Sequence, residues 1–121
     1  MSVVQTDRAL TVKFSEEDKT VYVSLENGHH LTFKYTFRCL SSYFSNKISV
    51  FFDVESKRCL VIVPMALNTY KCGWQEFWIT NDVPTLSATW MMGQAQIIDS
   101  IKDDFKEKYA AYLLDNIING V

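Results

Sequence analysis

The sequence predicts an α+β domain: a twisted antiparallel sheet of five or six strands, a meander plus a hairpin, with a C-terminal helix or helices packed on one face. Three observations carry that prediction. Apolar residues recur with period two over the first two thirds of the chain and with period 3.6 over the last quarter. Turn-forming residues separate the alternating runs. The length of 121 residues, 48% of them hydrophobic and only four Gly and two Pro, suits one compact domain and excludes collagen-like or disordered chains. A single domain is therefore expected over residues 1–121, with the sheet over about 9–80 and the helical part over about 84–119.

Leu10, Val12 and Phe14 alternate with Thr11 and Lys13 as a half-buried strand, and Ser15 to Lys19 is a charged turn. Val21, Val23 and Leu25 alternate with Tyr22 and Ser24, and Asn27-Gly28 supplies a tight hairpin. Leu31, Phe33, Tyr35 and Phe37 then alternate with Thr32, Lys34, Thr36 and Arg38 as one continuous third strand. Residues 39–47 break the pattern as a loop or a helical turn. A second hairpin joins Ile48–Val54 to Cys59–Val63 across Glu55 to Arg58, and the apolar character of both faces of its second strand calls for cover on both sides. A sixth strand is expected near Gln75–Thr80.

Asp82-Val83-Pro84 reads as a helix start, Gly93 as an interruption and Asn119-Gly120 as a C-terminal cap. Ile97, Ile98, Ile101, Phe105, Tyr109, Tyr112, Leu113 and Ile117 form the apolar stripe. Asp99, Lys102, Asp103, Lys106 and Glu107 lie opposite, with supporting pairs at Asp104–Lys108 and Asp103–Lys106. A 25-residue helix is about 37 Å long, and a globule of this size is roughly 35 Å across. The helix must cross the whole domain, break, or project into a partner. The expected core is Phe14, Val21, Val23, Phe33, Tyr35, Phe37, Ile101, Phe105, Tyr109 and Leu113.

Composition bounds the function. Twelve Lys and Arg against fourteen Asp and Glu leave a net charge of -2, which removes the electrostatic reason to expect a duplex-DNA binder. No basic region followed by an apolar run opens the chain, and no window approaches the roughly 18 apolar residues of a membrane span. Cys39, Cys59 and Cys72 are odd in number and match neither a disulfide framework nor a zinc ribbon, so buried reduced thiols and a cytoplasmic location are expected. No membrane association and no cofactor is expected.

No catalytic constellation stands out. His29-His30 lacks further ligands at metal-site spacing, and no glycine pattern forms a phosphate cradle. The carboxylates of Glu16-Glu17-Asp18 and Asp103-Asp104 sit on a turn and on a wet helix face, away from the enclosure that general acid–base chemistry needs. No enzyme activity, metal or catalytic residue is assigned.

Charge is uneven. Across residues 59–98 only Lys71, Glu76 and Asp82 are charged, and Trp74, Trp78 and Trp90 all fall there. The leading expectation is a small non-enzymatic protein-interaction module of inhibitor, immunity or anti-defence type. It would use Trp74, Trp78 and Trp90 with the acidic helix residues Asp99, Asp103, Asp104 and Glu107 to block a basic partner such as a nuclease. A homodimer through Trp78 or Trp90 belongs to the same class. Two alternatives come from other classes. One is a small-molecule binder with an apolar cavity between sheet and helix. The other is a single-strand nucleic-acid binder using Lys13, Tyr22, Lys34 and Arg38, a face diluted by threonines in a segment of net charge about +1.

Overall fold

The computed structural model describes residues 5–42, 47–86 and 94–119, with side chains over 8–42, 47–86 and 95–116. Eight strands and one long helix follow in the order β1 (Gln5–Ser15), β2 (Thr20–Leu25), β3 (His30–Lys34), β4 (Phe37–Ser41), β5 (Ile48–Asp53), β6 (Arg58–Pro64), β7 (Tyr70–Thr80), β8 (Val83–Leu86) and α1 (Gln94–Asn119). The α+β class and the antiparallel pairing hold. The sheet has eight strands, more than the five or six expected.

Two strands beyond the expected six come from a crossing and a reversal of the chain that alternation alone does not reveal. The run from Leu31 to Phe37 is split at Tyr35–Thr36 into β3 and β4, and the strand order is β3-β2-β1-β7-β6-β5-β4. Consecutive strands thus stand at the two ends of the path. The step from Lys34 to Phe37 spans at most about 11 Å, so the sheet must curl until its ends meet. At that seam the Tyr35 amide donates to the Lys19 carbonyl at 2.9 Å and the Thr36 amide to the Phe52 carbonyl at 2.7 Å. β4 also takes in Cys39–Ser41, which the alternation had assigned to a loop.

The reversal, at Asn81–Asp82, corrects the expected helix start. Asn81 and Asp82 both adopt positive φ, 52° and 62°, the conformation of a two-residue hairpin turn that Asn and Asp tolerate. Val83–Leu86 therefore returns as β8 beside β7, with Thr80 opposite Val83. Pro84 is acceptable there because β8 is an edge strand. The expected break at Gly93, the Gly120 cap and Trp90 lie outside the described residues.

Curling gives the sheet two cores. Ala9, Val21, Val23, Leu25, Phe33, Tyr35, Phe51, Leu60, Ile62 and Cys72 fill the inside of the curl. On the outer face, Phe37, Cys39, Ile48, Val50, Phe52, Val54, Cys59, Val61, Val63 and Phe77 pack against Ile97, Ile101 and Phe105 of α1. β6 feeds both, with Leu60 and Ile62 inward and Cys59, Val61 and Val63 toward the helix, as its two apolar faces required. The neighbours Phe51 and Phe52 do the same on β5. Phe51 lies 4.9 Å from the Tyr35 ring, and Phe52 lies 4.8 Å from the Phe105 ring and 5.0 Å from Phe77.

Two expected core residues, Phe14 and Leu113, are exposed, and so is Leu10 of the first strand. A register shift between Ala9 and Thr11 makes Leu10 the extra residue of a bulge, so Ala9 is buried and Leu10 exposed. Phe14, further along β1, ends partly exposed at the rim of the curl. Leu113 is exposed because the helix outruns the sheet. The i,i+3 pair on α1 is Asp99–Lys102, at 3.0 Å, in place of Asp103–Lys106, while Asp104–Lys108 forms at 3.0 Å as expected.

The three cysteines are buried and form no disulfide. Burial pushes the Cys59 thiol up to about 12, and burial reinforced by the Asp104 carboxylate does the same for Cys39. A thiol in the unfolded chain ionises near 8.5. Both folded values are higher, so this contribution to stability is full below about pH 8.5 and is lost as pH rises toward 12. Urea midpoints should fall between pH 8 and pH 11, more steeply in the parent than in a Cys59→Ala variant. Phe51→Ala and Phe52→Ala should each destabilise by about 3–5 kcal/mol, measured by urea unfolding. The Phe52 change should also loosen α1, seen as faster amide exchange around Ile101 and Phe105.

Candidate functional site

Helix α1 is fastened to β4 by polar contacts as well as by apolar packing. Ser100, Asp104 and Lys108 recur every four residues and so share one side of the helix. Ser100 Oγ and Ser41 Oγ are 2.7 Å apart, the Asp104 carboxylate helps hold the Cys39 thiol above its usual value, and Lys108 Nζ donates to the Arg38 carbonyl and to Asp104. Lys108 thereby caps a backbone acceptor on an edge strand, one of the ways an open sheet edge is blunted. Asp104, expected on the wet face with the other acids, is turned toward β4 instead.

Beyond Phe105 only one side of the helix stays against the sheet. Tyr109 and Tyr112 still pack on the helix-side core, with rings 6.3 Å apart and nearly parallel. Leu113 and Leu114 are 41% and 56% exposed. The run Tyr109-Ala110-Ala111-Tyr112-Leu113-Leu114 holds no charge, and at about 100° per residue six residues cover every side of a helix. A helix that is apolar all round belongs in an interior. Here Ala110, Ala111, Leu113 and Leu114 stand in solvent. The signal was present in the sequence as an uncharged run inside a charged helix, but the stripe pattern assigned Tyr109, Tyr112 and Leu113 to the core and hid it.

The side of this projecting segment that faces the sheet forms one wall of an open groove of about 700 Å³. Ala111, Tyr112, Lys108 and Asp115 come from α1, Glu16 and Lys19 from the β1–β2 turn, and Tyr35 to Arg38 with Leu40 from the seam and β4. Tyr35 donates its hydroxyl to the Ser15 carbonyl at 3.1 Å, and burial, with Glu16 nearby, holds its phenol above the usual value. Arg38 lies over the Phe14 ring, its Cζ 4.5 Å from the centroid, and its Nε donates to Ser49 Oγ at 3.1 Å.

The structure separates the residues expected to act together. Phe77 packs on the helix side, so Trp78, the next residue of β7, projects from the opposite face, half exposed beside Thr85 of β8. Trp74 shares that face but packs against the inner core between Gln5 and Leu60. Neither tryptophan joins the exposed acids Asp99, Asp103 and Glu107 on α1. Lys13, Tyr22 and Lys34 do share the exposed outer face of β1–β3, with Lys13 opposite Tyr22 and Lys34 opposite Thr20. Arg38 is not with them, because the chain crosses the seam after Tyr35 and Arg38 pairs with Phe51 on the inner face of β4.

Where an apolar cavity between sheet and helix was expected, the rings of Phe37, Phe52, Phe77 and Phe105 stand 4.8–6.4 Å apart. His30 Nδ1 lies 3.3 Å from Ser24 Oγ at the exposed hairpin. Among the described residues no group of three His, Cys, Asp or Glu is placed to hold a metal, and no helix is long and apolar enough to cross a membrane. Compared with known protein families, with curated proteins and with solved structures, the chain matches none.

Proposed function

We propose that this chain is a non-enzymatic protein-interaction module whose contact surface is the projecting end of α1. The observation that carries the reading is the run 109–114, apolar on every side of the helix, of which Tyr109 and Tyr112 pack on the core while Ala110, Ala111, Leu113 and Leu114 stand in solvent. Exposed apolar surface of this kind is retained where a partner covers it.

The partner's chemistry follows from what adjoins the run. Asp103, Glu107, Ala110 and Leu114 succeed one another at spacings of three and four, so a row of acids leads into the apolar end along one side of the helix. A complementary surface is an apolar groove with a basic rim. An inhibitor or immunity protein that occupies the basic site of a nuclease or another nucleic-acid-binding protein would meet that description, and complementary charge would speed its association. Trp78, on the other side of the sheet, takes no part in this contact.

The double change Leu113→Asp with Leu114→Asp tests the reading. Both side chains are exposed, so stability should stay within about 0.5 kcal/mol of the parent. Parent and variant are used as bait in a lysate of the native source, and light scattering follows the mass of each alone. A protein held by the parent and lost by the variant supports the proposal. A dimer of the parent that becomes monomeric in the variant identifies the partner as a second copy. Equal capture by both, with both monomeric, overturns it. Neutralising Asp103 and Glu107 to Asn and Gln should slow association about tenfold or more at low salt, measured as the on-rate for the captured partner.

A further inference from the structure

The hairpin that joins β6 to β7 ends in an apolar tip. Leu67, at its apex, is 93% exposed, the most exposed large apolar side chain among the described residues, and Met65 beside it is 46% exposed. Ala9 pairs with Tyr70, the first residue of β7, so the bulged Leu10, 52% exposed, stands level with the same loop. Residues 59–70 carry no charge. Apolar residues scattered singly over a surface need no explanation, but three gathered at one projecting loop do.

The loop holds Leu67 outward against backbone preference. Its backbone is left-handed, at φ 60° and ψ 35°, and Asn68 follows at φ 59°. Glycine or asparagine fits that region readily, and a bulky apolar residue does not. Bonds inside the loop fix the conformation. The Met65 amide donates to the Thr69 carbonyl at 2.8 Å, and the Thr69 hydroxyl and amide donate to the Ala66 carbonyl at 2.8 and 3.4 Å. Polar groups bonded in this way need no water, which suits a tip that enters an apolar phase.

The charges nearest the tip are cations. Lys71 follows Tyr70, and Arg8 stands directly opposite it on β1. Ser49 pairs with Ile62, so Lys47, two residues earlier and exposed, comes level with Pro64 on the other side of the hairpin. Arg8 also pairs with Glu26 at 3.7 Å, and Asp7, the next acid along β1, lies one row further back, opposite Cys72. An apolar tip set in a collar of cations matches the layering of an anionic membrane surface, where negative headgroups overlie acyl chains. Attachment of this kind needs no membrane-spanning segment.

We propose that the β6–β7 hairpin tip docks on an anionic lipid surface, with Leu67, Met65 and Leu10 at the acyl boundary and Lys47, Arg8 and Lys71 among the headgroups. The contact is made by other elements than α1 and does not depend on the Leu113 and Leu114 surface proposed above.

Vesicles of phosphatidylcholine with about 30% phosphatidylserine are the probe and vesicles of phosphatidylcholine alone the control, with binding of the whole chain read by co-sedimentation at low salt. The parent should partition at least about tenfold more onto the anionic vesicles, and the difference should shrink as added salt screens the headgroups. Leu67→Gly suits the left-handed backbone, so it should fold as well as the parent while lowering vesicle binding about tenfold or more. Lys47→Gln combined with Lys71→Gln should lower it about tenfold. Leu67→Trp should keep the binding and add a blue-shifted emission component on anionic vesicles. Leu113→Ser with Leu114→Ser, which blunts α1 without adding charge, should bind as the parent does. Equal partition onto the two vesicle types, full binding by Leu67→Gly, or loss of binding in the Leu113→Ser, Leu114→Ser variant overturns the proposal. So does a parent that stays unbound at about 5 mM anionic lipid. A parent that ignores vesicles but captures a protein, or forms a dimer, that Leu67→Gly loses assigns the tip to a protein surface and overturns the lipid reading.

Discussion

Two adjacent phenylalanines on β5 set the architecture. Phe51 and Phe52 point to opposite faces because successive strand residues must, and both are withdrawn from water. Burying each is worth about 1.5–3 kcal/mol, so this part of the sheet must be covered twice. The chain meets that demand in two ways. It curls β1–β3 over the Phe51 side, and it lays α1 across the Phe52 side, where Phe105 closes the ring cluster. The two-residue seam at Tyr35–Thr36 follows from the same requirement, since a sheet that wraps Phe51 brings β3 back to β5.

The functional surfaces are consequences of that double cover. The helix needs only one side to shield Phe52, Phe77 and Val61, so Ala110, Ala111, Leu113 and Leu114 on its other sides stay in solvent. The seam turns the polar side of the run 32–38 from solvent to the inner lip, which removes Arg38 from Lys13, Tyr22 and Lys34 and sets it on Phe14. The end of the helix and the displaced arginine both line one groove.

The parts of this structure that were legible in the sequence are the ones governed by local chemistry. Asn27-Gly28 marked its hairpin correctly, with Gly28 at φ 90° and the Asn27 side chain accepting from the His29 amide. The β5–β6 hairpin and the doubly apolar β6 were equally plain, as was the helical period after residue 94. The illegible parts involve partners distant in sequence. The alternation from Leu31 through Arg38 is unbroken, and nothing local marks Tyr35–Thr36 as the point where a strand leaves one end of the sheet for the other. Asn81-Asp82 was misread because Asp-x-Pro also opens helices, and the choice between hairpin and helix depends on whether an edge of β7 is free to receive the chain. The candidate site was half visible: its acids and its apolar run stand in the sequence, but which of them lie beyond the sheet depends on where the sheet stops.

Period, turn chemistry and the balance of apolar residues were enough to specify an antiparallel sheet carrying a C-terminal helix, because these are near-neighbour effects written into a few residues at a time. Strand order, the side of the sheet on which each ring lies, the direction of Asp104 and Arg38, and the length of helix left uncovered were settled by packing among segments as far apart as β1, β5 and α1. Long-range burial chooses among arrangements that local preferences leave equal, and in this protein that choice separates Trp78 from the acidic helix and brings Arg38 to the groove.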